Sequence, residues 1–258
     1  GTFLFKGFKT TSVTSAAGMM RASLTASGME DDRAMNIVQP MTIETHAPGN
    51  PWTNYSMYLT PSFMMTMLSL MILLVTAFSI TEEIKWRTSP RWLETAGGSI
   101  TVAVFGKLLP HTVLFTLVGW AMGAVIFGFC GFPLQGPAWA LMLGVLLMVV
   151  ANQALAVFIT ALQPNPRMAL SICALTGILS FSIAGLSFPV EGMYGGIAIL
   201  SYIIPVRYMF LLYVNTGING LPLYYSRWMF AILAIFPALA ALTLWRLKKA
   251  CLKPVYVP

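Results

Sequence analysis

The fold is decided by residues 82–94, which read EEIKWRTSPRWLE and form the densest run of charge in this 258-residue chain. Residues 48–81 precede it and contain no Asp, Glu, Lys or Arg. Residues 108–166 follow it and are equally uncharged apart from one histidine, His111. Each apolar run is long enough to cross a hydrocarbon core of ~30 Å at 1.5 Å per residue. The pattern predicts a compact charged element held between membrane spans.

The composition indicates a polytopic membrane protein. Hydrophobic residues make up 57% of the chain and charged residues 9%, against about 25% charged residues in soluble domains. The formal net charge of +7 does not indicate nucleic acid binding, because Lys and Arg cluster at the ends of the apolar runs. Three cysteines, Cys130, Cys173 and Cys251, suggest no disulfide framework.

The predicted fold class is an all-α polytopic membrane protein with five transmembrane helices. A Gly- and Pro-rich segment at 131–137 divides the longer apolar run, since such clusters mark turns. The spans are expected at about residues 56–80, 108–129, 138–162, 168–187 and 226–247, followed by a tail at 251–258.

The segment between the first two spans, residues 82–106, is predicted to contain a short cytoplasmic helix. Ser89-Pro90 has the chemistry of an N-cap followed by the first helical residue. Gly97-Gly98 is expected to end the helix, because Gly tolerates the left-handed C-terminal conformation. Residues 99–105 form a second, weakly amphipathic piece, and Lys107 lies where the next span is expected to begin.

Two further regions differ from the spans. Residues 188–225 are divided by Pro and Gly into apolar pieces of about 10–12 residues, which are too short to cross and predict an external re-entrant helical hairpin. Residues 1–55 have a water-soluble composition. A short helix at 12–27 and a strand at 36–45 would make them a small α/β unit, ended by a turn at 46–51.

Lys and Arg near the span ends set the orientation. Nine of them lie on the side of the charged segment and the C-terminus, against Arg207 and Arg227 near span ends on the other side. The first side is predicted to be cytoplasmic, with residues 1–55 outside, which implies an earlier span absent from this sequence. The nine are Lys85, Arg87, Arg91, Lys107, Arg167, Arg246, Lys248, Lys249 and Lys253.

Five short motifs, taken in order, carry a family resemblance. They are Asn50-Pro51, Tyr58-Leu-Thr-Pro61, Thr81-Glu-Glu-Ile-Lys85 with Thr88, Gly106-Lys-Leu-Leu-Pro110, and Gly185-Leu-Ser-Phe-Pro189 with Pro205 downstream. Over about residues 50–250 the chain resembles the ABC-2 type transporter permeases, the membrane subunits of bacterial ATP-driven exporters. Two positions depart from the family pattern: Arg87 stands where Gly is usual, and Tyr194 where Pro is common.

The resemblance implies six spans with a large external domain between the first two, so this chain would lack the first span and most of that domain. It also implies that the charged segment contains a coupling helix that docks on an ATPase subunit. Charged side chains there would steer docking, and Trp86, Trp92 and Leu93 would anchor it. The interface residues implied are Glu82, Glu83, Lys85, Trp86, Arg87, Arg91, Trp92, Leu93 and Glu94.

Other polar residues are weaker candidates. Asn152 and Gln153 lie near mid-membrane and could line a substrate pathway, although buried amides more often tie helices together. His111, without a visible partner, is expected to be structural. The external hairpin supplies gate candidates, and Glu191 and Arg207 could pair across it. The gate candidates are Pro189, Glu191, Pro205 and Arg207.

The sequence contains no nucleotide loop, because Gly106-Lys107 is followed by Leu. We therefore expect no catalytic residue, metal site or cofactor in this chain, with ATP and Mg²⁺ held by partner ABC ATPase subunits. The predicted function is that of an exporter permease in the bacterial inner membrane. It would pair with a second copy or a related half-permease, and move a hydrophobic or amphipathic substrate such as a drug, lipid or glycan.

Three alternatives remain at this point. A secondary carrier would need ionisable residues at mid-membrane, and the predicted spans have no Asp, Glu, Lys or Arg at their centres. An intramembrane enzyme would need a nucleophile or metal set at membrane depth. A structural or receptor-like membrane protein is compatible with the composition alone.

Overall fold

The computed structural model describes residues 15–30, 33, 55–188 and 190–254. The chain divides into two compact units, Gly1–His46 and Ala47–Pro258. In the first unit, helix α1 covers residues 15–26, within the helix predicted at 12–27. The predicted strand at 36–45, the turn at 46–51 and the Asn50-Pro51 motif lie outside the described residues, so the α/β unit stays a prediction.

The second unit is built of helices. They are α2 (Tyr55–Lys85), α3 (Ser89–Thr95), α4 (Ile100–Gly123), α5 (Ala138–Leu162), α6 (Pro166–Ile183), α7 (Gly195–Ser201), α8 (Pro205–Leu212) and α9 (Leu223–Leu252). Helices α4 and α8 continue directly into π-helical segments, Ala124–Phe129 and Tyr213–Ile218. A single 3-10 turn, Val190–Gly192, precedes α7.

Five of the described helices, α2, α4, α5, α6 and α9, are long and apolar enough to cross a membrane. The shorter α7 and α8 are bent by 79° relative to each other, as a re-entrant hairpin requires, although together they could also make a broken sixth span. No strand occurs among the described residues. The prediction of an all-α polytopic membrane protein with five apolar spans is confirmed.

The second span begins earlier than predicted. We expected a separate piece at 99–105 before a span from 108, but α4 is continuous from Ile100 and passes through Pro110. Ile100, Val104 and Leu108 are all buried in one cluster, and their spacing places them on one helical face. Packing of this face outweighs the backbone hydrogen bond that Pro110 cannot make.

Helix α5 is the centre of the bundle, and 67% of its most apolar stretch is buried, the largest share among the five candidate spans. Small residues let its neighbours approach closely. A Cβ added at Gly119 of α4 would lie 2.5 Å from Cγ1 of Val145 on α5. A Cβ at Gly144 of α5 would lie 2.4 Å from Cδ2 of Leu212 on α8. The hairpin and α4 are therefore both seated on α5.

Gly177 provides a test of this packing between α6 and α2. Its added Cβ would lie 3.1 Å from the backbone Cα of Leu70, so Gly177→Ala should cost about 1–3 kcal/mol through overpacking. Gly106→Ala is the matched control, because a Cβ there meets no atom within 4 Å. We expect a lower thermal unfolding midpoint in detergent for Gly177→Ala only. Equal midpoints would contradict this helix contact.

Candidate functional site

The charged segment forms a short helix fixed at both ends. Helix α3 begins at Ser89 with Pro90 in its first turn, but the N-cap residue is Thr88 and not Ser89 as predicted. The Ser89 hydroxyl is buried and donates to the Cys251 carbonyl oxygen at 2.9 Å. It satisfies one of the last-turn carbonyls of α9, which have no partner within that helix. The predicted cap residue instead ties α3 to α9.

Helix α3 ends as predicted. Gly97 and Gly98 have φ angles of 64° and 75°, the left-handed region that favours Gly. The Gly98 amide donates to Leu93 O and the Gly97 amide to Glu94 O, both at 2.9 Å. This pair of hydrogen bonds is a Schellman motif, and it turns the chain back towards α4.

A hydrophobic cluster holds α3 against three spans. Leu93 is only 3% exposed and belongs to a cluster with Ile84 of α2, Val104 of α4 and Leu247 of α9. Leu93, which the resemblance implied as a docking anchor, therefore packs inside its own chain. Burial of this side chain makes α3 part of the bundle and not a free loop.

A polar contact reinforces the same junction. The Glu83 carboxylate accepts hydrogen bonds from the Thr88 hydroxyl and the Lys107 ammonium group. Within the described parts of the chain, Glu83 and Lys107 make the one ion pair. Lys107 also lies 5.2 Å from the ring centroid of Trp92, a cation–π distance. Glu83, Lys107 and Trp92 thus join α2, α4 and α3.

The remaining residues of the predicted interface form an exposed face. Trp86 is 65% exposed, and the Lys85 ammonium group lies 5.2 Å from its ring centroid. A large aromatic ring among charged side chains at the end of a span is free for a partner. We call this set the docking face: Glu82, Lys85, Trp86, Arg87, Arg91 and Glu94, all exposed.

Arg87 occupies a backbone conformation that favours Gly. It has φ 59° and is the one non-Gly residue with positive φ among those the structure describes. The Thr88 amide donates to Glu83 O and the Arg87 amide to Ile84 O, a second Schellman motif, with Arg87 at its usual Gly position. This is one of the two positions at which the sequence departs from the pattern that it resembles. The left-handed turn is present here although the residue is not Gly.

The two mid-membrane amides connect helices. Asn152 is fully buried, and its Oδ1 accepts from the Ser69 hydroxyl of α2 at 2.6 Å. Gln153 Oε1 accepts from the Thr112 hydroxyl of α4 at 2.8 Å. His111 Nδ1 lies 3.2 Å from the Lys107 carbonyl oxygen within α4. In this conformation both carboxamides are engaged between helices, and their place in a pathway stays a prediction.

The external hairpin is organised around a buried arginine. Arg207 of α8 is 7% exposed, and its Nη1 donates to the Ala184 carbonyl oxygen at 3.1 Å. Its guanidinium carbon lies 5.0 Å from the ring centroid of Tyr202. Glu191 lines the same cavity of about 440 Å³ but does not form the expected ion pair with Arg207.

Gly185 explains why the hairpin motif begins with Gly. It has φ 93°, and an added Cβ would lie 2.9 Å from Arg207 Nη1. The conformation disfavours a side chain, and an added Cβ would displace the Arg207 guanidinium group from its present place. The sequence offered no signal for that contact. Of the other gate candidates, Pro205 is the first residue of α8 and Pro189 lies outside the described residues.

No cluster of three or more His, Cys, Asp or Glu able to hold a metal occurs among the described residues. At the docking face, the arrangement offers charge and exposed aromatic area. At the hairpin, the arrangement offers a buried cation beside a cavity.

Substitution of Arg87 tests the strained turn. Arg87→Gly should raise the free energy of unfolding by about 1 kcal/mol, because the left-handed conformation costs an ordinary residue about 1–2 kcal/mol. Lys85→Gly, two residues earlier in the regular last turn of α2, should lower it by about 1 kcal/mol. Thermal unfolding in detergent measures both. A destabilised Arg87→Gly variant would mean that the Arg87 side chain itself holds the turn.

Gly185→Ala tests whether the close approach of Arg207 adds to the cost of placing an ordinary residue at a positive φ. Gly131→Ala is the control, since Gly131 also has a positive φ of 65° but an added Cβ there meets no atom within 4 Å. Gly131→Ala should cost about 1 kcal/mol and Gly185→Ala clearly more. In the double variant Gly185→Ala with Arg207→Gln, the decrease in the free energy of unfolding should be smaller than the sum of the decreases in the two single variants. Equal losses for the two Gly variants would refute the contact.

Comparison with known proteins identifies a family. A profile of the family described as ABC-2 family transporter protein matches residues 2–245, which includes the docking face, the hairpin, four candidate spans and most of the fifth. No curated protein matches the chain. No solved structure matches it. Because the profile spans nearly the whole sequence, the chain belongs to the ABC-2 family of transporter proteins.

Proposed function

We propose that this chain is the permease subunit of an ATP-driven exporter and that its docking face binds an ABC ATPase subunit. The observation that carries the proposal is the exposure of Trp86 among charged side chains at the end of α2, next to α3, which is fixed to three spans. Aromatic anchors surrounded by charge are typical of protein interfaces. Family membership supports a transport role for the membrane subunit.

The mechanism rests on rigidity. Movement of an ATPase subunit displaces α3, and three fixed contacts carry the displacement into the bundle. They are the Leu93 cluster, the contact of Trp92 with Lys107, which Glu83 holds in an ion pair, and the Ser89–Cys251 hydrogen bond. Because these contacts join α3 to α2, α4 and α9, the spans tilt with it instead of absorbing the motion in a loop. ATP and Mg²⁺ are held by the partner, and this chain contributes no catalytic group.

The proposal also assigns a side of the membrane and a role to the other parts of the chain. The docking face and the C-terminus are cytoplasmic and residues 1–55 extracytoplasmic, in a bacterial inner membrane, as the positive-inside rule favours. Two permease chains, identical or related, form the pathway, to which Asn152 and Gln153 are the polar candidates. The hairpin at 188–225, with Glu191, Pro205 and Arg207, forms the external gate. The substrate is hydrophobic or amphipathic, consistent with the scarcity of charge in the spans.

The docking face is tested by the double variant Trp86→Ala with Arg91→Glu. Loss of an aromatic anchor and reversal of a charge should reduce binding to the ATPase subunit by about tenfold or more. Trp228→Ala with Arg227→Glu is the matched control, because Trp228 is also 65% exposed but lies at the opposite end of α9. The measurement is co-purification of an ATPase from native membranes, together with ATP-dependent export by vesicles.

Two results would overturn the proposal separately. Equal loss, or no loss, in the two double variants would show that the docking face is elsewhere. Absence of any co-purified ATPase with the unmodified chain would remove the exporter assignment and return the secondary carrier to consideration.

A further inference from the structure

A single cavity of about 470 Å³ lies inside the end of the bundle that is far from α3. It is bounded by the first turns of α2, the last turns of α4, the first turns of α5 and the hairpin helix α8. Its volume is in the range of about 300–1,000 Å³ that is typical of ligand pockets. The cavity is separate from the docking face and from the hairpin cavity that Arg207 and Glu191 line.

The walls offer a ligand no free polar side chain. Three of the lining residues carry hydroxyl or indole donors, and each donor already makes a hydrogen bond to a backbone carbonyl oxygen of the protein. The Ser62 hydroxyl donates to Tyr58 O at 2.8 Å, and the Trp120 indole to Met142 O at 3.0 Å. The Tyr213 hydroxyl donates to Met57 O at 2.6 Å. The remaining lining side chains are apolar, so recognition depends on apolar contact alone.

The cavity opens sideways between α4 and α5. Ala121 and Ala124 on one side and Ala138 and Met142 on the other are exposed. The three alanines have small side chains, and the Trp120–Met142 hydrogen bond bridges the two helices at one point of this rim. The floor, in contrast, is deeply buried: Met65, Leu141, Val145, Val206, Met209, Phe210 and Tyr213 are each less than 9% exposed. Because α4 and α5 are candidate spans, a gap between them is accessible from the bilayer in a single copy of the chain.

Both π-helical segments border this cavity. Ala124 and Phe127 come from the first and Tyr213 begins the second. The Phe127 and Tyr213 rings face each other with centroids 6.0 Å apart. A π-helical turn is wider than an α-helical one and occurs frequently at functional sites. Two such turns meeting at one cavity indicate a space that the fold maintains.

We propose that this cavity is a binding site for one hydrocarbon chain of a bilayer lipid, which enters from the side between α4 and α5. A dry apolar cavity of this size accepts apolar ligands and excludes water. An unfilled void would lose the contacts of every wall atom, at a cost that rises with its volume. A lipid chain is the apolar molecule that surrounds the opening at high concentration. The lipid headgroup stays outside, since the cavity offers it no polar partner.

Gly123 allows the cavity to be filled without disturbing the bundle. It lines the cavity, has helical φ and ψ of −60° and −44°, and a Cβ added there meets no atom within 4 Å. Gly123→Leu therefore places a side chain in the space of the ligand. Gly128→Leu is the matched control, because Gly128 is equally open but does not line the cavity. Ala138→Phe, which narrows the opening from outside, is an independent second variant.

The test is photolabelling in nanodiscs of phosphatidylethanolamine that carries a diazirine on one acyl chain, with labelled peptides located by mass spectrometry. We expect labels on the floor residues Met65, Met209 and Phe210 in the unmodified chain and in Gly128→Leu. Floor labelling should fall by roughly tenfold in Gly123→Leu and in Ala138→Phe, while labelling of the outward-facing Leu117 stays unchanged.

Three outcomes would overturn the proposal. Labels confined to outward-facing residues would show that lipids only surround the bundle. Floor labelling that persists in both filled variants would show that the chain does not occupy this space. Floor labelling by a free diazirine-bearing hydrocarbon, but not by the phospholipid, would assign the cavity to another apolar molecule. The nanodiscs contain no ATPase, so none of these results depends on ATP-driven export.

Discussion

In hydrocarbon, every backbone N–H and C=O must find its partner inside the protein, and most of this structure follows from that constraint. It explains why the bundle is helical, and it explains what happens where helices stop. The Tyr58 hydroxyl donates to Leu186 O, Arg207 to Ala184 O, and the Tyr213 hydroxyl to Met57 O. These three polar side chains thus complete backbone groups at the hairpin and at the first turn of α2.

The same constraint shapes the junction at α3. The chain leaves α2 through a Schellman turn at Arg87 and leaves α3 through another at Gly97, so few carbonyl groups are left without a partner. The free energy that fixes α3 then comes from burying Leu93 among Ile84, Val104 and Leu247. The ion pair beside it is partly exposed, and such pairs contribute about 1 kcal/mol or less. Burial of apolar side chains therefore contributes most of the free energy that fixes α3, and the ion pair mainly sets its orientation.

Much of this architecture could be predicted because it depends on hydropathy and on Gly and Pro. The five apolar spans, the end of α3 at Gly97 and the short pieces of the hairpin all follow from those signals. Three residues of the predicted interface, Glu83, Trp92 and Leu93, are instead engaged within the chain, since such contacts are a property of three-dimensional packing. The start of α4 at Ile100 was missed because Lys107 was expected to mark the start of the span, whereas packing of Ile100 and Val104 extends the helix before it.

Contacts between distant parts of the chain could not be predicted at all. Ser89 has the chemistry of a helix cap, and nothing in the sequence pairs it with Cys251, 162 positions away. The sequence likewise does not indicate that Gly185 and Arg207 lie close together, although Gly185 belongs to one of the five motifs and Arg207 is a gate candidate. The apolar cavity has no sequence signature, because its alanines and glycines look like ordinary filler in a span.

Helix α9 has its two ends fixed in different places. Near its start, the Ser226 hydroxyl is hydrogen-bonded to that of Thr216, in the π-helical segment of the hairpin. At its finish, Cys251 holds Ser89 of the charged helix. Thirty residues of helix at 1.5 Å per residue make α9 about 45 Å long. Because both of its ends are hydrogen-bonded, a shift of α9 along its axis at one end must also displace the other end. Helix α9 therefore couples the hairpin mechanically to the charged helix.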